Sequence, residues 1–298
     1  VFIACIVFIL QEILYHSTGY RFSGIIPFLD VPYDTTTADF MTSQMTRSRS
    51  TSIFLEPAHF AQYCAGYLAI LLGENCRKRN LFTLRPILLS IILFFTVSGN
   101  AVLLTLIAWL VFFILYFKKT LVRLIAFVPV IALAGIFLFN YVSQTEQGER
   151  LLDRTDELEY NSSDRISSGT MRIYRGYFVF GDMPLLLKII GAGTAGTDNA
   201  IENSQHSWMF GNEKYINNIQ KIIVGTGAIG FILFVLYCYN QIKLTTDEGK
   251  ILMILFIVIS IIEYCWLFPK MLIFCGLAWL YQLKKQSSSN KNKILITE

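Results

Sequence analysis

Four ionisable side chains cluster in the segment RSRSTSIFLEPAHF, where Arg47 and Arg49 are followed by Glu56 and His59. Pro57 suits the first turn of a helix, because the missing N–H of proline costs nothing there. An apolar run follows, so we expect the carboxylate and the imidazole at the mouth of a membrane helix. Ionisable groups at that depth are costly and usually functional. An alternative hypothesis is that the arginines anchor to lipid phosphates and that Glu56 caps the helix dipole.

Arg172 and Arg175 form a second candidate group, in the segment SSGTMRIYRGYF. They are one turn apart and share a face if this segment is helical. A guanidinium group binds phosphate through two parallel hydrogen bonds and stays charged at any relevant pH. The pair therefore predicts either an anion site or a surface helix with solvated arginines.

Three further patterns are weaker. The glycines of KIIGAGTAG match the letters GxGxxG, but no strand–helix–strand unit follows, so we interpret them as a turn beside the membrane. His206 is a loose candidate for proton transfer. Glu56 and His59 have the Glu-x-x-His spacing of di-iron bundles, but the second copy and the further carboxylates that such a site needs are missing. We therefore predict no metal site.

The composition indicates a membrane environment. The chain of 298 residues is 54% hydrophobic and 15% charged, with a mean hydropathy of +0.52. Its apolar residues come in uncharged blocks, which in hydrocarbon must form helices or closed barrels. The blocks lack the alternation of barrel strands. We predict an all-α integral membrane protein, a polytopic bundle of about eight membrane helices with one large extracytoplasmic loop.

The apolar blocks give approximate helix boundaries. The first helix ends near Tyr15. The others cover about 54–73, 86–97, 101–117, 121–142, 219–239, 250–268 and 271–283. Only Ser98, Gly99 and Asn100 separate the third helix from the fourth, which favours a hairpin over one long kinked helix.

Short basic connections predict the orientation, because positive charge in short loops stays cytoplasmic. Counting the crossings puts all of these connections on one side. They carry Arg77, Lys78, Arg79 and Arg85, then Lys118, Lys119 and Arg123, then Lys243 and Lys250, and finally Lys284, Lys285, Lys291 and Lys293.

These boundaries divide the chain into four parts. They are N-terminal membrane helices over 1–142 with an extracytoplasmic loop near 16–53, a large extracytoplasmic loop over 143–218, C-terminal membrane helices over 219–283, and a cytoplasmic tail over 284–298. Apolar pieces of the large loop, 174–180 and 185–190, predict short helices at the membrane interface. Because the first apolar run is already under way at Val1, with no initiator Met and no basic segment before it, we expect this sequence to be a fragment and not to begin with a signal peptide.

Four motifs occur in a fixed order along the chain. They are an arginine before FLEPAHFAQY, a helix that ends in Thr96-x-Ser98, SGTMRIY followed by IIGAGTAG, and an Asn before VGTGAIGFILF. Their order and spacing resemble the membrane polymerases of bacterial surface polysaccharide, in the superfamily of O-antigen polymerases and O-antigen ligases. Each motif alone is degenerate, and the order carries the resemblance.

The resemblance implies a membrane glycosyltransferase that joins polyprenyl-pyrophosphate-linked oligosaccharide repeats into O-antigen, capsule or exopolysaccharide, without a metal or other cofactor. It implies an active site on the outer face of the bacterial inner membrane, with membrane lipid, a flippase and a chain-length regulator as partners and no nucleic acid. Arg49 and Arg172 match the arginines thought to hold the pyrophosphate, with Arg47 and Arg175 as alternatives, and we expect Arg49 and Arg172 to border one cavity that opens to lipid. The acceptor hydroxyl needs a proton acceptor, for which Glu56 and His59 are the candidates.

The sequence departs from the superfamily pattern at two places. The ligase branch carries a His-Asn pair before the last glycine-marked helix, and Ile216 and Asn217 occupy those positions. The arginine often found at the hairpin tip is also absent, since Gly99 follows Ser98. The missing histidine argues against the alternative of an O-antigen ligase. A second alternative, a polysaccharide transporter or flippase without chemistry, would predict internal repeats and charge pairs at the bilayer midplane, and the sequence shows neither.

Overall fold

The computed structural model describes residues 1–19, 50–54, 56–96, 98–117, 168–210, 215–265 and 269–297. This part of the chain is helical and contains no strand, so the predicted all-α class is confirmed there. The helix predicted over 121–142 lies outside it. The described helices are α1 (Phe2–Thr18), α2 (Pro57–Lys78), α3 (Leu84–Phe95), α4 (Gly99–Tyr116), α5 (Ser168–Asp182), α6 (Leu185–Ile190), α7 (Thr197–Glu202), α8 (Asn218–Leu244), α9 (Asp247–Ile262) and α10 (Pro269–Thr297).

Two of the described helices, α4 and α8, are long and apolar enough to cross a membrane, each with a mean hydropathy of 2.2 over 18 residues. One side of α4 exposes a stripe of large apolar side chains at helical spacing, namely Leu103, Leu106, Leu110 and Ile114. Water disfavours such a surface, whereas hydrocarbon solvates it. The full set of about eight membrane helices stays a prediction.

The helix ends differ from the expected ones mainly in the C-terminal region. Helix α9 ends at Ile262 and not near 268, because Glu263 turns to extended backbone and its carbonyl accepts a hydrogen bond from Asn218 N at 2.9 Å. Helix α10 continues to Thr297, past the expected end near Leu283. The residues that follow Leu283 include good helix formers and no Gly or Pro that would stop the helix.

The chain divides into two compact units, and the first is Val1–Gly135. In it α2 packs against α3 and α4, and the indole of Trp109 on α4 donates to Ser90 Oγ on α3 at 2.9 Å. The predicted hairpin of two separate helices is therefore confirmed. Arg79, at the end of α2, donates to the carbonyl of Tyr116 and its own carbonyl accepts from the Tyr116 hydroxyl. The basic connection after α2 thus lies beside the end of α4.

The second unit is Ile136–Glu298. In it α8, α9 and α10 pack in succession, and the turn between α8 and α9 contacts α10. The Thr245 hydroxyl donates to the Ala278 carbonyl at 3.0 Å, and Lys285 Nζ donates to the Thr245 carbonyl at 3.0 Å. The basic turn near Thr245 and the basic residues of α10 therefore meet at one end of this unit.

The predicted orientation can be tested with reporter fusions. We expect a fusion at Asp156 to report the extracytoplasmic side and a fusion at Lys293 to report the cytoplasm, because basic connections stay cytoplasmic. A phosphatase reporter, active only outside, and a fluorescent protein, active only inside, make the two readouts complementary. The same sidedness at both positions would contradict the topology.

Candidate functional site

Two residues of the first candidate group, Glu56 and His59, lie at the N-terminal end of α2. Glu56 occupies the N-cap position and Pro57 the first turn, and the Glu56 side chain makes no capping hydrogen bond. The Glu56 carboxylate is exposed and His59 is partly buried. The group thus presents an exposed carboxylate one helical turn before an imidazole. Arg47 and Arg49 lie outside the described residues.

The chain just before Glu56 is fixed by a buried glutamine of α1. Gln11, only 2% exposed, accepts a hydrogen bond from Ser52 N at 2.8 Å and donates to the Ser52 carbonyl at 3.2 Å. The Ser52 hydroxyl donates to the Ala4 carbonyl at 2.6 Å. These bonds hold Ser52 in the left-handed region at φ 57°, an uncommon conformation for a residue other than glycine. Ser52, which lies between Arg49 and Glu56 in the sequence, is therefore attached to α1.

The second candidate group lies on α5, which confirms that the SGTMRIY segment is helical. Arg172 is one turn before Arg175 on this helix. Arg175 is buried at 7% exposure, and its guanidinium carbon lies 4.8 Å from the Phe210 ring centre and 5.6 Å from that of Tyr215. Stacking on aromatic faces suits the planar guanidinium group. Arg175 therefore connects α5 to the chain just before α8.

The glycine-rich segment GAGTAG docks against a break in α8. At Gly227 the backbone has φ 67° and ψ −170°, a conformation essentially restricted to glycine. Carbonyls that precede such a break lose their helical N–H partners. Ala192 N donates to the Val224 carbonyl at 2.9 Å, and Gly193 N donates to the Gly225 carbonyl at 2.9 Å. The glycine segment thus supplies donors to carbonyls that the break would otherwise leave unpaired.

Glycines are required on both sides of this contact. A Cβ at Gly191 would meet the backbone of Gly225, and a Cβ at Gly227 would meet the carbonyl of Ile189 and the nitrogen of Gly191. Gly191 and Gly193 also have positive φ, 87° and 85°. The predicted turn is confirmed, and its glycines allow two backbone segments to touch.

Asp182, Ser204 and His206 form a hydrogen-bonded network at the C-terminal end of α5. The Ser204 hydroxyl donates to Asp182 Oδ2 at 2.5 Å, and His206 Nδ1 lies 2.9 Å from the same oxygen. Hydrogen bonds from Ser204 and then His206 hold the pKa of the Asp182 carboxyl below its ordinary value, because they stabilise the charged form. An ionised carboxylate only accepts, so Nδ1 carries the proton. The imidazole also stacks on Phe178, with 4.9 Å between ring centres.

Sequence reasoning identified His206 and missed its partner Asp182. One local signal was available, since an acidic residue in the last turn of a helix opposes the helix dipole. Asp182 ends α5, and such a local conflict indicates a compensating contact elsewhere. Asp182 and His206 are 24 residues apart along the chain, and no sequence pattern indicated that their side chains are in contact.

In the residues that the structure describes, no group of three or more His, Cys, Asp or Glu side chains is placed to hold a metal ion. No family model, curated protein or solved structure matches this chain. The resemblance to surface-polysaccharide polymerases therefore stays an expectation from the motifs.

The contact between the glycine segment and α8 predicts the effect of Gly227→Ala. The alanine Cβ would meet backbone atoms that cannot move aside, and its φ and ψ are strained, so we expect a loss of about 3 kcal/mol in unfolding free energy. The control is Gly181→Ala on α5, where an added Cβ meets nothing within 4 Å and helix propensity should increase stability slightly. Thermal unfolding of the full-length protein in detergent measures both. A Gly227→Ala variant as stable as the control would contradict the docking.

Proposed function

We propose that this protein is a polymerase of the bacterial inner membrane that joins polyprenyl-pyrophosphate-linked oligosaccharide repeats into a surface polysaccharide. The proposal includes the predicted orientation, with the loop that contains α5 to α7 on the extracytoplasmic side. Two helices apolar enough to cross a membrane support a site beside a bilayer, where a lipid-linked substrate would be found.

The observation that carries the proposal is the contact between two of the motifs. IIGAGTAG and VGTGAIGF are separated along the chain by about 30 residues, yet Ala192 and Gly193 donate directly to Val224 and Gly225. The order of the motifs was the basis of the resemblance. The direct contact of the two motifs supports the resemblance. IIGAGTAG supplies the N–H donors that the carbonyls of VGTGAIGF need at the helix break.

The reaction we propose is a direct displacement at the anomeric carbon. A hydroxyl of the incoming repeat attacks this carbon, its proton passes to Glu56 or His59, and the bond to the polyprenyl pyrophosphate breaks. The leaving pyrophosphate takes the electron pair, so fixed positive charge must lie where negative charge develops. Two arginines supply that charge.

The surroundings of Arg175 favour Arg172 as the loop arginine that binds pyrophosphate. The Arg175 guanidinium is buried against Phe210 and Tyr215, where it connects two segments. Arg172 is the residue that the resemblance assigns to pyrophosphate, together with Arg49, and that assignment stays a prediction.

The ligase alternative is not favoured. Ile216, at the position of the ligase histidine, is buried at 2% exposure. Asn217 caps α8: its side chain accepts from Gln220 N at 2.9 Å, and Gln220 Oε1 accepts from Asn217 N at 3.2 Å, which is a capping box. Asn217 therefore has a structural role, without a neighbouring imidazole.

The arginine hypothesis predicts that Arg172→Lys impairs polymerisation nearly as much as Arg172→Ala. Lysine keeps the charge but loses the planar fork that binds two phosphate oxygens. The measurement is the polymer ladder on a gel, from cells in which the variant replaces the chromosomal gene. Arg85→Lys, an exposed position on α3, is the control and should leave the ladder unchanged. A normal ladder from Arg172→Lys would contradict the role.

The proton-acceptor hypothesis predicts that Glu56→Gln abolishes chain extension while the protein remains inserted in the membrane. Glutamine has nearly the shape of glutamate but cannot accept the proton. If Glu56 acts only through the helix dipole, the loss is limited to about 1 kcal/mol of stability and polymer persists. Glu74→Gln, which breaks only an exposed ion pair with Lys78, is the control. Polymer of normal length from Glu56→Gln would reject this role, and His59 would be the next position to test.

A further inference from the structure

A cavity of about 330 Å³ lies beside Asp182, where the end of α5, α6, the glycine segment and α7 meet. None of the residues proposed above for chemistry lines it. Its lining has a polar part and an apolar part. The residues that matter are Asp182, Asn199 and Asn203 on the polar part, and Val179, Met183 and Leu187 on the apolar part.

The polar part offers both hydrogen-bond acceptors and donors. The Ser204 hydroxyl and His206 Nδ1 both bind Oδ2 of Asp182. A carboxylate has room for about four hydrogen bonds, so Asp182 keeps acceptor capacity. Asn203, which also lines the cavity, donates one amide N–H to the Asn199 backbone carbonyl at 2.9 Å. Neighbouring hydroxyl groups, each both donor and acceptor, match this set.

The network behind Asp182 holds the carboxylate in place. The Ser204 hydroxyl also accepts a hydrogen bond from His206 N at 3.0 Å, and the imidazole is stacked on Phe178. A carboxylate whose orientation is fixed loses little entropy when it binds a ligand. The cavity is therefore preorganised on its polar part.

Charge and size restrict the ligand. An ionised Asp182 repels anions, so a phosphate or a carboxylate group does not fit beside it. The volume is at the lower end for ligand pockets, which suits one ring and not a long oligosaccharide. Val179, Met183 and Leu187 add an apolar surface to the lining. A pyranose has these two kinds of surface, hydroxyl groups along its edge and C–H groups on its faces.

We infer that this cavity binds one uncharged pyranose unit of the acceptor saccharide, with Asp182 accepting hydrogen bonds from its hydroxyl groups. The assignment of the sugar to the acceptor rests on the proposed function, whereas the binding of a pyranose does not. Asp182 is a specificity-determining residue here, held by Ser204 and His206.

The test is binding of free monosaccharides to the purified full-length protein in detergent, measured by saturation-transfer NMR with D-glucose, D-galactose and N-acetyl-D-glucosamine. We expect at least one of these to bind the wild type. Asp182→Asn should weaken that binding about tenfold or more, because a hydrogen bond to a charged acceptor is lost. Asp198→Asn, on the exposed surface of α7, is the matched control and should bind like the wild type.

Ala200→Leu provides a second variant, because Ala200 lines the cavity and makes no contribution to the network around Asp182. The larger side chain should fill the cavity and abolish sugar binding. If Asp182→Asn does not fold, the binding measured with Ala200→Leu shows whether the sugar occupies this cavity. No binding of any of the three sugars to the wild type, or unchanged binding by Ala200→Leu, would overturn the inference. Sugar binding that depends on Asp182 without glycan polymerisation would keep this site and reject the proposed function. Glycan polymerisation without sugar binding would keep the proposed function and reject the sugar site.

Discussion

The break in α8 at Gly227 is the constraint on which the second unit depends. A helix interrupted in an apolar environment exposes carbonyl groups, and each unpaired peptide group there costs several kcal/mol. Ala192 and Gly193 satisfy the carbonyls of Val224 and Gly225, which fixes the glycine segment against α8. The contact needs glycine on both sides, because a Cβ at Gly191 or Gly227 would occupy backbone positions. Sequence and geometry therefore agree on why these glycines are present.

The positions of the loop elements follow from this contact. Helix α6 ends at Ile190, and the N–H of the next residue, Gly191, donates to the Leu187 carbonyl at 2.7 Å. Helix α7 begins at Thr197, directly after the glycine segment. The cavity beside Asp182 lies among these elements. Its shape therefore depends on the docking of the glycine segment to α8. We expect this arrangement to suit the proposed saccharide site, since a preorganised site loses little entropy on binding.

The sequence predicted the helices well and the contacts between distant segments poorly. Long uncharged blocks such as the one that becomes α4 allow only a helix, and a three-residue interruption at Ser98 predicted the hairpin. The pairing of Gln11 with Ser52 and that of Asp182 with His206 depend on tertiary packing and have no periodic signal. For Gln11 a hint existed, because an amide inside an apolar run must find a partner. The catalytic roles of Glu56 and His59, and the role of Arg49, stay predictions.

We propose that the protein forms glycosidic bonds at the expense of a lipid pyrophosphate. The most direct measurement uses the purified full-length protein in liposomes with a synthetic polyprenyl-pyrophosphate-linked repeat, in the presence of EDTA. Chromatography and mass spectrometry then count new glycosidic bonds and released polyprenyl pyrophosphate. We expect one polyprenyl pyrophosphate to be released for each bond formed, at a rate that EDTA does not change. A substrate that is moved across the bilayer but chemically unchanged, or a reaction that EDTA abolishes, would contradict it.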